Sequence, residues 1–180
     1  MTESAKEPIR LLRDVNAFLV PSGDRIKLAE GSIVQITQAL GGNYTVLVNN
    51  NMVQISSENA DALGIKDEPR EQKLSSGDFS EHQVWDQLKT CYDPEIPVNI
   101  VDLGLIYDLK IKDGKHGKLI EIKMTLTAPG CGMGDLIAGE AERKVRGINE
   151  VESVSVELVW EPLWNRDMMT EAAQLELGML

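Results

Sequence analysis

The sequence predicts an α+β protein in which a small β-rich module precedes a two-layer α/β sandwich. Short β-branched runs separated by Gly and Asn turns fill residues 1–65, whereas helical and strand-like periods alternate in residues 79–180. Between them, residues 66–78 read KDEPREQKLSSGD, a charged and small-residue composition typical of a linker. The sequence therefore predicts two domains joined by this linker.

In the N-terminal module, alternation of β-branched and polar residues predicts a small β-barrel or meander. The predicted strands are residues 15–20, 26–28, 32–38, 44–48 and 52–55. Runs rich in Gly and Asn separate the last three strands as turns. Residues 57–63 predict a short helix that stops at Gly64. Because no catalytic spacing occurs here, the module is expected to be structural or to bind a partner.

The second region predicts the element order α–β–β–α–β, with the helices on one face of a small sheet. Ser80 can cap a first helix, in which Val84, Leu88 and Cys91 share one apolar face. The predicted elements are helices at 81–91 and 135–145, strands at 108–112, 118–126 and 151–159, and a helix-compatible tail at 168–177. The Asp113-Gly114 turn makes the first two strands a hairpin.

Composition narrows the class of protein. Residues 78–180 carry 10 basic and 19 acidic side chains, a net charge of −9 out of −11 for the chain. This surface opposes binding to nucleic acids and to anionic membranes, and it suits a basic protein partner. The sequence shows neither a signal peptide nor an apolar run of about 20 residues, so a cytoplasmic location is expected. Two cysteines do not make a disulfide framework.

One cysteine lies where chemistry is expected. The run Thr127-Ala128-Pro129-Gly130-Cys131-Gly132-Met133-Gly134 follows a predicted strand and precedes a predicted helix. Backbone amides and the helix dipole favour negative charge at such a position and raise the thiolate character of a cysteine. A thiolate is both a nucleophile and a soft metal ligand, whereas the structural alternative is a small apolar residue in a turn.

Three spaced blocks resemble one known family. The opening block is residues 93–107, DPEIPVNIVDLGLIY; the cysteine block is residues 124–131, MTLTAPGC; the closing block is residues 160–164, WEPLW, with 168–173, MMTEAA, and Leu177-Gly178. In order and spacing they resemble the metal–sulfur cluster biosynthesis family, which includes phenylacetate-oxygenase maturation proteins. With residues 13–17 and the turn at 21–23, the whole chain resembles the two-domain bacterial members.

The resemblance implies an α/β fold for the second domain and a role in iron–sulfur protein maturation. The cysteine of the family motif corresponds to Cys131, which would bind iron or a labile cluster transiently. The partners of the protein would be iron–sulfur apo-proteins and carrier or scaffold proteins. The candidate ligands beside it are Asp93, Glu95 and Thr127. A single chain with no Cys-x-x-Cys pair cannot supply four thiolates to a cluster, so a second subunit, carboxylates or an external thiol would be needed. A homo-oligomer is compatible with this requirement.

Several candidate residues also have a purely structural interpretation. Cys91 is expected to be a small core residue. Asp93 precedes a proline, and an Asp-Pro pair is common in turns, so this residue also has a structural interpretation. Asp102, in an apolar run, must be paired, and it is expected to support the structure together with Gly130 and Gly132. His82 and His116 lack ligand spacing with a cysteine, so a zinc site is not expected.

Three functions remain open from the sequence. The first is a non-enzymatic maturation factor, the second a thiol enzyme in which Cys131 attacks its substrate, and the third a metal-free interaction adaptor. The thiol enzyme would need a base near the sulfur, and no Cys–His spacing supports one.

Overall fold

The structure is a computed structural model that describes residues 7–66, 77–130 and 132–179. The chain divides into two compact units, Met1–Arg70 and Glu71–Leu180. The first unit is built of strands and the second mixes helices with strands, so the predicted α+β class is confirmed. Residues 67–76 of the predicted linker lie outside the described residues.

The N-terminal unit is a six-stranded antiparallel sheet in the order β1-β4-β5-β6-β2-β3. Its strands are β1 (Ile9–Arg10), β2 (Val15–Leu19), β3 (Arg25–Leu28), β4 (Ile33–Leu40), β5 (Asn43–Val48) and β6 (Asn51–Ile55). The last three form a meander, and the β2–β3 hairpin joins the sheet through β6. The five predicted strands are therefore present, whereas β1, two residues long, is too short to show a period in the sequence.

Alternate residues of these strands form the core of the N-terminal unit, because successive side chains of a strand point to opposite faces. Val15 and Ala17 of β2 are almost completely buried, as are Val53 and Ile55 of β6. The predicted short helix is a 3₁₀ helix, Ser57–Leu63, and Gly64 ends it with a φ of 72°. This left-handed conformation is the reason for glycine at the stop.

The C-terminal unit contains α1 (Glu81–Leu88), β7 (Ile106–Asp113), β8 (Lys118–Met124), α2 (Gly134–Arg146), β9 (Val151–Leu158) and α3 (Glu171–Glu176). Its sheet has the order β7-β8-β9. The β7–β8 pair is an antiparallel hairpin, whereas β8 and β9 are parallel and α2 connects them. The predicted order α–β–β–α–β is confirmed.

Burial alternates along the central strand, which places the helices on one face of the sheet. Ile120, Ile122 and Met124 are buried, whereas Glu121 and Lys123 are exposed. Helix α2 packs on α1 and on β9. The sheet therefore has a covered apolar face and an open charged face.

The tail, which the sequence predicts to be compatible with a helix over 168–177, contains a 3₁₀ turn and a separate short helix. A 3₁₀ turn occupies Arg166–Met168, and α3 begins only after Thr170. The Thr170 hydroxyl accepts a hydrogen bond from the Ala173 amide at 3.2 Å, which caps α3 at this point. Helix periodicity in the sequence did not show this interruption.

Candidate functional site

The opening and closing blocks contact each other in the C-terminal unit, although about 60 residues separate them. The Trp164 indole Nε1 donates a hydrogen bond to the Leu103 carbonyl at 2.7 Å. The Tyr107 hydroxyl donates to the Pro162 carbonyl, also at 2.7 Å. Both bonds join one block to the backbone of the other, so they fix the relative position of the two segments.

Two further contacts tighten this junction. The Thr170 amide donates to the Asp102 carbonyl at 2.9 Å. Gly104 has a φ of 75°, and a Cβ atom built on it would lie 2.2 Å from the Met168 carbonyl oxygen. Glycine is required at residue 104 both by this conformation and by the close approach of the two chain segments.

The cysteine block is joined to the opening block and to the residue that precedes the closing block. At its first residues, the Thr125 amide donates to the Leu105 carbonyl at 2.8 Å. The Val159 amide, one residue before the closing block, donates to the Met124 carbonyl, also at 2.8 Å. Strand β8 therefore ends among residues of the opening and closing blocks, immediately before the turn that carries the candidate cysteine.

Cys131 itself lies outside the described residues, and its described neighbours define the turn. Gly130 is exposed with a φ of 78°, and Gly132 is exposed as well. Met133 is buried and occupies the N-cap position of α2, which begins at Gly134. The chain thus passes from an exposed glycine turn into the N-terminus of a 13-residue helix, where the backbone dipole favours negative charge.

Asp102 lies in a hydrogen-bonded turn with Asn99. Its carboxylate Oδ2 accepts from the Asn99 side-chain amide at 2.6 Å. In return, Asn99 Oδ1 accepts from the backbone amides of Asp102 at 2.9 Å and Val101 at 3.0 Å. The carboxylate therefore braces the turn that leads to Gly104.

Asp93 and Glu95 differ in exposure. Asp93 is buried, and its Oδ1 accepts from the backbone amides of Glu95 at 2.8 Å and Ile96 at 3.0 Å. Burial raises the pKa of the Asp93 carboxyl above its usual range, while the two amide hydrogen bonds oppose that shift. Glu95 is exposed. Asp93 thus organises the loop, and Glu95 is the carboxylate of the pair that solvent reaches.

Thr127 is half-buried, two residues after the backbone contact that holds Thr125. Across residues 7–66, 77–130 and 132–179, no group of three or more His, Cys, Asp or Glu side chains is arranged to hold a metal ion. Cys131 lies outside those ranges. Among the same residues, no helix is long and apolar enough to cross a bilayer.

Cys91 is a buried core residue, as its helical spacing predicts, although α1 ends three residues before it. Burial raises the pKa of its thiol to about 12, because the thiolate would lose its hydration. A buried ion pair that the sequence interpretation missed lies close by. Lys144 Nζ is 3.0 Å from a Glu140 carboxylate oxygen and donates to the Thr90 carbonyl at 2.7 Å. The i,i+4 spacing of this pair could have revealed it.

A shallow cleft of about 640 Å³ lies where the opening and closing blocks meet. We call it the Tyr107 cleft; it is lined by Gly104, Ile106, Tyr107, Lys123, Val159, Glu161, Pro162 and Met168. Sequence reasoning missed it, because its walls come from segments far apart in the chain. The sequence did contain one indication of the cleft, because Tyr107 lies in the opening block and Pro162 lies in the closing block.

The C-terminal unit is similar to known proteins. The family described as iron-sulfur cluster assembly protein matches residues 81–158. An Fe-S protein maturation auxiliary factor of Porphyromonas gingivalis is 46% identical over 101 residues, which are 56% of this chain and 93% of that protein. The auxiliary factor YitW of Bacillus subtilis is 40% identical over 93 residues, 51% of this chain and 87% of its own.

The auxiliary factor SufT of Staphylococcus aureus is 38% identical over 87 residues, 48% of this chain and 96% of its own. These similarities therefore account for about half of this chain, and the resemblance of the whole chain to two-domain members stays a prediction. The matched residues 81–158 contain the opening block and the cysteine block, and the resemblance to the family is confirmed. The chain belongs to the iron–sulfur cluster assembly protein family.

Proposed function

We propose that this protein is a maturation factor that holds iron or a labile iron–sulfur cluster through Cys131 and passes it to apo-proteins. The observation that carries the proposal is the convergence of the three blocks at the end of β8. The Thr125 amide donates to Leu105 of the opening block, and the amide of Val159, the residue before the closing block, donates to Met124 at the end of β8. The names of the relatives, which describe maturation factors, support a non-catalytic role.

The chemistry of the turn supports a weak and exchangeable site. A lone soft thiolate at a helix N-terminus binds iron without the closed ligand set of a storage protein. The exposure of Gly130 and Gly132 supports this role, because a partner can reach the chain on both sides of Cys131. The remaining ligands would come from the partner, from an external thiol or from the exposed Glu95.

Anaerobic reconstitution with iron and sulfide tests metal retention directly. Wild type and Cys91→Ala are expected to retain iron after desalting and to show thiolate-to-iron absorption bands, whereas Cys131→Ser is expected to lose both. Cys91→Ala is the matched control, since it removes the other thiol from a buried position. Equal iron in Cys131→Ser and wild type would remove the thiol from the mechanism.

Client activity tests the biological role. In cells lacking the native protein, aconitase activity is expected to recover with wild type and Cys91→Ala, partly with Glu95→Gln, and not with Cys131→Ser. Full recovery with Glu95→Gln would exclude a required carboxylate at that position.

A metal-free adaptor is the second candidate, because large apolar side chains of the closing block are exposed. Trp160 is 38% exposed and Leu163 is 64% exposed. An adaptor would keep client activity in Cys131→Ser and lose it when these side chains are replaced.

A thiol enzyme would instead lose turnover in Cys131→Ser and keep its iron content unchanged.

A further inference from the structure

We propose that the Tyr107 cleft is a docking site for a short basic segment of a partner protein that carries an aliphatic or aromatic side chain flanked by Lys or Arg. The inference rests on the proposed maturation role for the existence of protein partners. It assigns a surface and a partner chemistry that are independent of Cys131, and its test does not use iron or client activity.

The apolar part of the cleft can accept a side chain. Ile106, Val159 and Met168 are half-buried, so each leaves part of its apolar surface open to solvent in the cleft. Pro162 is exposed at the cleft wall. Burial of an aliphatic or aromatic side chain against these groups would remove apolar surface from water on both partners.

The walls of the cleft are held in place before any partner binds. The Tyr107 hydroxyl donates to the Pro162 carbonyl at 2.7 Å and lies 3.4 Å from the Met168 sulfur. Gly104 supports the same wall by its close approach to Met168. A preorganised site loses less conformational entropy on binding, which favours affinity for a short peptide.

Exposed apolar side chains continue from the cleft along the closing block. Leu163, 64% exposed, follows Pro162 directly, and Trp160 stands between two residues that line the cleft. Isolated exposed leucines are common, but a leucine and a tryptophan within four residues, beside an apolar cleft, are typical of a binding surface.

Charge decides the kind of segment. The two charged residues that line the cleft, Glu161 and Lys123, have opposite signs. Lys123 stands in register between Asp108 and Glu157, and Asp108 also lies 3.4 Å from Lys110. Residues 78–180 carry a net charge of −9. The carboxylates beside Lys123 and this net charge favour a basic segment and disfavour an acidic one.

A selection from random peptides tests this chemistry without assuming a partner. A phage-displayed library of short random peptides would be selected on the full-length protein, with counter-selection on Glu161→Lys. Enriched sequences are expected to place Leu, Ile, Phe or Met beside Lys or Arg. Absence of enrichment, or enrichment of acidic or uncharged sequences, would overturn the proposal.

Affinities of an enriched synthetic peptide then test the position of the site. Leu163→Ser and Glu161→Lys are each expected to weaken binding by about tenfold, whereas Lys123→Gln should strengthen it. The matched controls are Leu12→Ser, whose side chain is 63% exposed in the N-terminal unit, and Lys115→Gln, an exposed lysine of the β7–β8 hairpin. Controls that weaken binding as much as the cleft variants would place the peptide elsewhere.

Two further readouts separate the other occupants. Amide chemical-shift changes on peptide binding should centre on Ile106, Lys123 and Val159, and changes confined to other residues would contradict the proposal.

Sedimentation of the full chain tests whether a second copy of the chain occupies the cleft. A dimer that Leu163→Ser dissociates would overturn the peptide site and make this surface a self-association interface. Peptide binding is expected to persist in Cys131→Ser, so failure of the proposed maturation role would leave the peptide site standing.

Discussion

The backbone of Gly104 lies against that of Met168, so closely that a Cβ atom on residue 104 would be 2.2 Å from the Met168 carbonyl oxygen. This contact joins the opening block to the closing block without any side chain at residue 104. It supports one wall of the Tyr107 cleft, so a substitution at residue 104 should disturb the packing of the two blocks against each other.

Replacement of Gly104 by alanine should destabilise the C-terminal unit by about 2–3 kcal/mol, because it adds both a steric conflict and a left-handed alanine. Gly178→Ala is the control, since its φ is 68° but nothing lies within 4 Å of the added atom. That variant should lose only about 1 kcal/mol. Urea unfolding followed by tryptophan fluorescence measures this unit alone, because Trp85, Trp160 and Trp164 all belong to it. Equal losses would contradict the close contact.

The two tryptophans of the closing block should respond differently to replacement by phenylalanine. Trp164→Phe removes the hydrogen bond to the Leu103 carbonyl and should cost about 1–2 kcal/mol of unfolding free energy. Trp160→Phe should change stability by less than about 0.5 kcal/mol, because the side chain is exposed. Urea titrations of both variants give the comparison, and a larger loss for Trp160→Phe would refute it.

The Asp93 carboxyl should lose its proton at a higher pH in the folded chain than in the unfolded chain. Because burial raises the pKa of its carboxyl, ionisation opposes folding, and this stability is lost as pH rises from about 4 through the folded pKa. Asp93→Asn keeps an oxygen acceptor for the Glu95 and Ile96 amides and should be at least as stable as wild type at pH 7. Asp93→Ala removes the acceptor and should lose about 1–2 kcal/mol.

Thermal unfolding between pH 4 and 7 checks this sign. The advantage of Asp93→Asn over wild type should grow as pH rises. Full client activity in Asp93→Asn would also show that this carboxylate is not a required ligand, whereas loss of activity with unchanged stability would restore it as one.

Cys91 should react slowly with alkylating reagents in the folded protein. Burial raises the pKa of its thiol to about 12, so almost no thiolate is present near pH 8, and the group is enclosed. The unfolded thiol ionises at a lower pH than the folded one. The contribution of this thiol to the free energy of unfolding should therefore fall as pH rises from about 9. Mass spectrometry after timed alkylation should show Cys131 modified first; earlier labelling of Cys91 would overturn the assignment.

The division of the chain predicts that residues 77–180 fold as a separate fragment. This unit contains its own sheet, helices and buried core, and relatives of nearly this length align with the chain over 87–101 residues. The fragment should unfold cooperatively in urea with tryptophan fluorescence as the probe. Limited proteolysis of the full chain should cut first within residues 66–78, as their composition predicts. A non-cooperative fragment, or first cuts inside either unit, would contradict the boundary.

Much of this fold follows from local patterns in the sequence. Alternation along Lys118–Met124 predicts a strand and its buried face, and Gly64 predicts the end of the preceding 3₁₀ helix. The interruption at Thr170 was not predictable, because a cap within an otherwise helical period depends on where the chain meets Asp102. Nor could the sequence show that Asp93 is buried and accepts the Glu95 and Ile96 amides, because these contacts depend on the folded loop.

The Tyr107 cleft shows the same limit more strongly. Its key hydrogen bonds join residues 55 and 61 positions apart, Tyr107 with Pro162 and Leu103 with Trp164. Contacts of such separation raise the contact order of the unit, which slows folding. During synthesis from the N-terminus, Cys131 leaves the ribosome 28 residues before Val159 and 37 residues before Met168, the first and last residues of the second wall of the cleft. Under the two proposals made above, a nascent or misfolded chain would carry the thiol without the partner surface, so delivery of iron would require a chain that has finished folding.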